Sequence, residues 1–142
     1  MTSEKQIAAN RRNALRSTGP QSVAGKAVVK GNAYGHGLVE ASRVFLQSGA
    51  TWLGVSSVAE GVALREAGIG APVLSFMPAA RGECEALVEA HLTATVARAE
   101  HVTWLHEAAE TVGTTASAHV FVDTGLARMP SEDRAIDLID MA

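Results

Sequence analysis

Five short apolar runs recur along the chain, and each is followed by a helical pattern. The runs are AVVK (27–30), TWLGVSS (51–57), APVLSFM (71–77), LTATVA (92–97) and AHVFVDT (118–124). The intervening segments LVEASRVFLQSG, VAEGVALREAG, RGECEALVEAH and AEHVTWLHEAAETVG, and the closing SEDRAIDLIDMA, read as helices. Gly49, Gly68 and Gly113 stand where three of them stop, as glycine does after helix ends. Strict alternation of this kind predicts a parallel sheet covered by helices, because parallel neighbours need a crossover long enough to hold a helix. Two architectures satisfy the pattern: an open doubly wound sheet and part of a β/α barrel. Periodicity does not separate them. In both, functional groups gather at the carboxyl ends of the strands.

Length narrows the choice of what is complete. With 142 residues, 47% of them apolar, the chain suits one domain with a real core. A closed eight-fold barrel takes about 250 residues, so the barrel alternative is a partial one of about five βα units. No G-x-G-x-x-G or G-x-x-x-x-G-K-[ST] follows any strand, which argues against the common nucleotide-binding folds. The net charge of −3 gives no case for nucleic acid. Charge is uneven, however: residues 1–30 carry a net +5 and the remainder −8. A basic amino-terminal arm suits anionic surfaces, and equally a solvated helix. The lone Cys84 excludes an intramolecular disulfide and reads as a small buried residue. The start has no apolar signal core, and the apolar stretch at 71–80 is broken by Pro72 and Pro78. It falls far short of the ~20 residues of a membrane span. A cytoplasmic protein is expected, with no membrane and no nucleic-acid partner.

The strand ends hold the candidates. Lys30 directly follows AVV and precedes Gly-Asn-Ala-Tyr34-Gly-His36-Gly. A lysine there suits a base or a Schiff-base former with a lowered pKa. It equally suits a side chain that reaches out to water. Of the three lysines, Lys5 lies in the polar tail and Lys26 ahead of the strand, so Lys30 is the Schiff-base candidate. Tyr34, the single tyrosine, stands near glycines that allow close backbone approach. Its hydroxyl suits a phosphate oxygen, and its ring suits simple packing. After the fifth run come Asp123-Thr-Gly-Leu-Ala-Arg128. Arg128 suits bidentate capture of a carboxylate, or an ordinary surface place with Asp123 fixing the turn. The histidines give no metal spacing: His101 and His106 are five apart, off the i, i+4 pairing. Trp52 and Trp104 read as core or barrel packing.

With these residues in view, AVVKGNAYGHG (27–37) resembles the signature of the alanine racemase family, pyridoxal-phosphate enzymes with an amino-terminal β/α barrel. GATWLGVSSVAEGVALREAGIGAPVL (49–74) is similar to the second and third units of that barrel. HVFVDTGLARMP (119–130) is similar to its fifth strand and substrate loop. The resemblance covers about residues 26–142, an incomplete barrel segment, and leaves 1–25 as a separate polar and basic segment. It implies an L-alanine/D-alanine racemase with pyridoxal 5'-phosphate as cofactor and no metal. Lys30 is then the catalytic, cofactor-bearing lysine. Tyr34 binds the cofactor phosphate, and Arg128 orients both the cofactor ring oxygen and the substrate carboxylate.

The departures from the family are specific. Its opposite-face base is a tyrosine of a partner's carboxyl-terminal β domain, and Tyr34 is the only tyrosine here. Phe121 stands where the family often has a carbamylated lysine beside the arginine. These features imply an impaired isolated chain that self-associates or lacks a carboxyl-terminal β domain. The alternatives are a non-catalytic pyridoxal-phosphate-binding barrel and a degenerate fragment.

Overall fold

The computed structural model describes residues 28–30, 37–123 and 135–141. Five strands form one sheet: β1 (Val28–Lys30), β2 (Trp52–Val55), β3 (Val73–Ser75), β4 (Thr93–Val96) and β5 (Ser117–Val120). The helices are α1 (Leu38–Gln47), α2 (Val58–Glu66), α3 (Cys84–Glu89), α4 (Ala99–Val112) and α5 (Ala135–Asp140). The segment RGECEALVEAH is not one helix, because a 3-10 turn at Arg81–Glu83 precedes α3. There the Glu83 carboxylate accepts the Ala80 N–H at 3.0 Å, which closes the turn locally. The strands are also shorter than the apolar runs. β5 stops at Val120, although the ladder continues one bond further, from Phe121 N–H to the Val96 carbonyl at 2.7 Å.

The strand order resolves the architectural alternative. It runs β1-β2-β3-β4-β5, and every pairing is parallel. A doubly wound sheet reverses direction at a switch point; this one advances by one strand at each step, as a barrel does. The sheet also curls. Trp52 on β2 and His119 on β5 bring their ring centroids to 5.7 Å, although three strand spacings in a flat sheet amount to about 14 Å. The fold is a partial (β/α)8 barrel.

Alternation along the strands sorts residues into two faces. Leu53, Val55, Val73, Ala94 and Val96 join Val58, Leu64, Leu87, Val88, Val102 and Leu105 in one buried cluster between sheet and helices. Leu53, Val73, Leu64 and Leu87 are fully buried. Cys84 lies in the same cluster; burial pushes its thiol pKa up, with the Glu83 and Glu107 charges adding to the effect. The opposite, inner face carries Trp52, Gly54, Leu74, Thr95 and His119. Glycines end three helices in left-handed geometry, at φ 97° (Gly49), 78° (Gly68) and 75° (Gly113). Among the described residues, no helix is long and apolar enough to cross a membrane.

Candidate functional site at the strand ends

The carboxyl ends of the strands converge on one rim, and each turn there is held by its own short bond. After β2, Ser57 caps α2 by accepting the Glu60 N–H at 3.3 Å. The Glu60 carboxylate in turn accepts the Ser56 N–H at 2.7 Å. These bonds satisfy donors that a helix start otherwise leaves open. After β3, the Ser75 hydroxyl donates to the Met77 carbonyl at 3.0 Å. On β4, the Thr95 hydroxyl donates to the Ser75 carbonyl at 2.6 Å, tying two strand ends together.

After β4, Ala97 N–H donates to Nδ1 of His101 at 3.2 Å. That histidine is only 8% exposed, and its ring lies 5.5 Å from Trp104. Burial, reinforced by Arg98 and opposed by Glu100, lowers its pKa. Its neutral ring is what the Ala97 bond requires, since an imidazolium has no acceptor. His101 is therefore a structural acceptor. Among the described residues, no group of three or more His, Cys, Asp or Glu side chains could hold a metal ion.

Lys30 is the last residue of β1 and shares a rung with Gly54 of β2. That places its backbone at the rim, on a rung of the inner face. Its side chain, Tyr34 and Arg128 lie outside the described residues, and so do residues 1–25. Phe121 is half-buried just past β5, and Asp123 is half-buried two residues on. Sequence reasoning did not single out Gly54 or Phe76, which meet at this rim. The available signal was a glycine inside a strand, which often marks close approach of other groups. A groove of about 780 Å³ among the described residues lies elsewhere. It runs along the outer side of β5 between α4 and α5, lined by Val102, Leu105, Ala118, Val120, Ile139 and Met141.

Together, fold and rim define a class: a β/α barrel segment whose first strand ends in a lysine on the rung of Gly54. The family model for the alanine racemase N-terminal domain matches residues 3–132, and the chain belongs to that family. It is 41% identical over 114 residues to the alanine racemase of Methanococcus maripaludis, across 80% of this chain and 30% of the relative. It is 40% identical over 122 residues to that of Beutenbergia cavernae, across 86% of this chain and 32% of the relative. A solved alanine racemase structure from Streptomyces coelicolor A3(2) superposes with a TM-score of 0.72 at 32% identity. That match spans 96% of this chain and 37% of the other. The chain thus spans about a third of the length of the proteins it matches.

Proposed function

We propose that this chain carries the cofactor-bearing barrel segment of a pyridoxal-phosphate-dependent racemase acting on alanine, in the cytoplasm. The observation that carries the reading is Lys30 as the final residue of β1 in a curled, sequential parallel sheet of this family. The donor set fits the cofactor. An amine at the carboxyl end of a barrel strand suits its aldehyde. The buried Gly54 on the same rung adds no side chain of its own. Bound there, pyridoxal phosphate supplies a conjugated ring that spreads the negative charge left on Cα when a proton departs.

Lys30 would hold the cofactor, and with substrate bound its amine would remove or return the proton on one face of Cα. Tyr34 would offer its hydroxyl to the phosphate. Arg128 would hold the substrate carboxylate with its guanidinium fork. Racemisation needs a second acid–base group on the other face, and Tyr34, the single tyrosine, is already engaged. We assign that group to a partner subunit or a further β domain.

Adding pyridoxal phosphate to the protein should produce a lysine-linked absorbance band. Borohydride reduction and peptide mapping should place the label on Lys30. In deuterated solvent, each alanine enantiomer then reports its own face: exchange from one enantiomer alone indicates Lys30 acting without a second base, and racemisation indicates both. Lys30→Ala should remove band, label and exchange together. A label on another lysine, or no band, overturns the proposal.

A further inference from the structure

Gly54 sits inside β2, where glycine weakens a strand relative to alanine. Its backbone does not require glycine, because it is not among the positive-φ residues. The requirement is space. A Cβ at position 54 would overlap Cε2 and Cζ of Phe76. The Phe76 ring therefore lies against the bare Cα of Gly54. Its backbone is fixed there, since Phe76 N–H donates to the Val55 carbonyl at 2.9 Å. Phe76 is half-buried, so the packed ring still presents surface outward. Gly54 pairs with Lys30 on one side and Leu74 on the other. The glycine thus seats an aromatic ring at the rung that ends in Lys30.

We infer that Gly54 and Phe76 form a size-matched pair, with Phe76 the positioning residue that sets the room beside Lys30. The inference rests on Lys30 being the cofactor-bearing amine. An alanine at position 54 lifts the Phe76 ring into that room, and a smaller side chain at 76 makes space for the alanine. The two positions are therefore coupled, and a double-mutant cycle reads the coupling directly.

The cycle uses the full chain as wild type, Gly54→Ala, Phe76→Leu and the double variant. Its readouts are the pyridoxal phosphate dissociation constant from the lysine-linked band, the position of that band, and the thermal midpoint. Gly54→Ala should weaken binding at least ~10-fold, and the double variant should recover to within ~3-fold of Phe76→Leu alone. Single effects that simply multiply in the double variant overturn the inference. Should Gly54→Ala not fold, Phe76→Ala decides the matter. It should keep the thermal midpoint near wild type, weaken binding and move the band; unchanged affinity and band position overturn the pairing. A wild-type protein with no lysine-linked band overturns the proposed function and this inference with it. A normal wild-type band with uncoupled variants overturns this inference alone.

Discussion

The two ends of the sheet are fastened in different ways. At the amino ends of the strands, neighbouring units are stapled to one another by arginine. Arg65 of α2 donates Nε to the Ala90 carbonyl at 2.9 Å and Nη2 to His91 at 3.2 Å, at the turn before β4. Its Nη1 donates to Ile69 at 2.7 Å and Ala71 at 2.8 Å, at the turn before β3. Arg43 of α1 adds a bond to the Ala67 carbonyl at 3.2 Å. At the carboxyl ends, Ser56 with Glu60, Ser75 with Met77 and Ala97 with His101 each close their own turn. One end carries most of the side-chain connections between units. The other is largely modular: beyond the Thr95 hydroxyl on the Ser75 carbonyl, its turns are closed locally, so residues there change with little cost to their neighbours. This division suits barrels in which function sits at the carboxyl face and stability at the opposite one.

The largest effect should come from cutting the staple. Arg65→Ala removes four charge-assisted bonds to carbonyls in two turns, and burial already holds the Arg65 pKa below its usual value. Some of those carbonyls regain water, so a loss of roughly 2–4 kcal/mol is expected in urea unfolding. Arg65→Lys should recover only part of it, because an ammonium cannot reproduce a planar fork of five donors. A loss below ~1 kcal/mol for Arg65→Ala would mean that the amino ends are not held this way, and the contrast between the two ends would collapse.

A smaller effect tests one carboxyl-end turn through pH. The folded-state pKa of His101 is depressed by burial. Its contribution is therefore complete above the ordinary histidine value of about 6.5. It is lost progressively as pH falls below that value toward the folded pKa, because the unfolded chain takes up a proton that the folded one refuses. Wild-type stability should drop between pH 7.5 and 5.5 more than that of His101→Asn, whose side-chain oxygen still accepts the Ala97 N–H without titrating. Parallel curves for the two proteins would remove His101 as the holder of that turn. The drop should be smaller than the Arg65→Ala loss, since it releases one bond in one turn.

Much of this arrangement is legible in the residues, and the gaps have physical causes. The five strands, their order along the chain and the glycine helix ends follow from apolar periodicity and turn chemistry, which are local. Barrel curvature is not local: it emerges from Trp52 meeting His119 across three strands, and no spacing in the sequence encodes that. Arg65 in VALRE looks like any solvated helical arginine, because its four acceptors come from turns that only the fold brings together. Phe76 and Gly54 are likewise 22 positions apart in the chain. At the rim, position 30 was recognisable because a charge ends an apolar strand. Tyr34 and Arg128 lie outside the described residues, where motif resemblance is the only guide.

The smallest predicted effect is the sharpest test of modularity. One ion pair among the described residues does link neighbouring units beyond a strand's carboxyl end. Arg81, in the 3-10 turn after β3, meets Glu107 of α4 at 2.9 Å. Its side chains are 69% and 49% exposed, so water and salt screen the attraction, and holding two long side chains together costs entropy. Arg81→Ala should therefore change stability by no more than about 0.5 kcal/mol. The change should shrink further in 0.5 M salt. A loss above ~1 kcal/mol that persists in salt would show a genuine tie between units at this end. The carboxyl rim would then be braced in the same manner as the amino end, and substitutions around Lys30 would carry costs into the neighbouring turns.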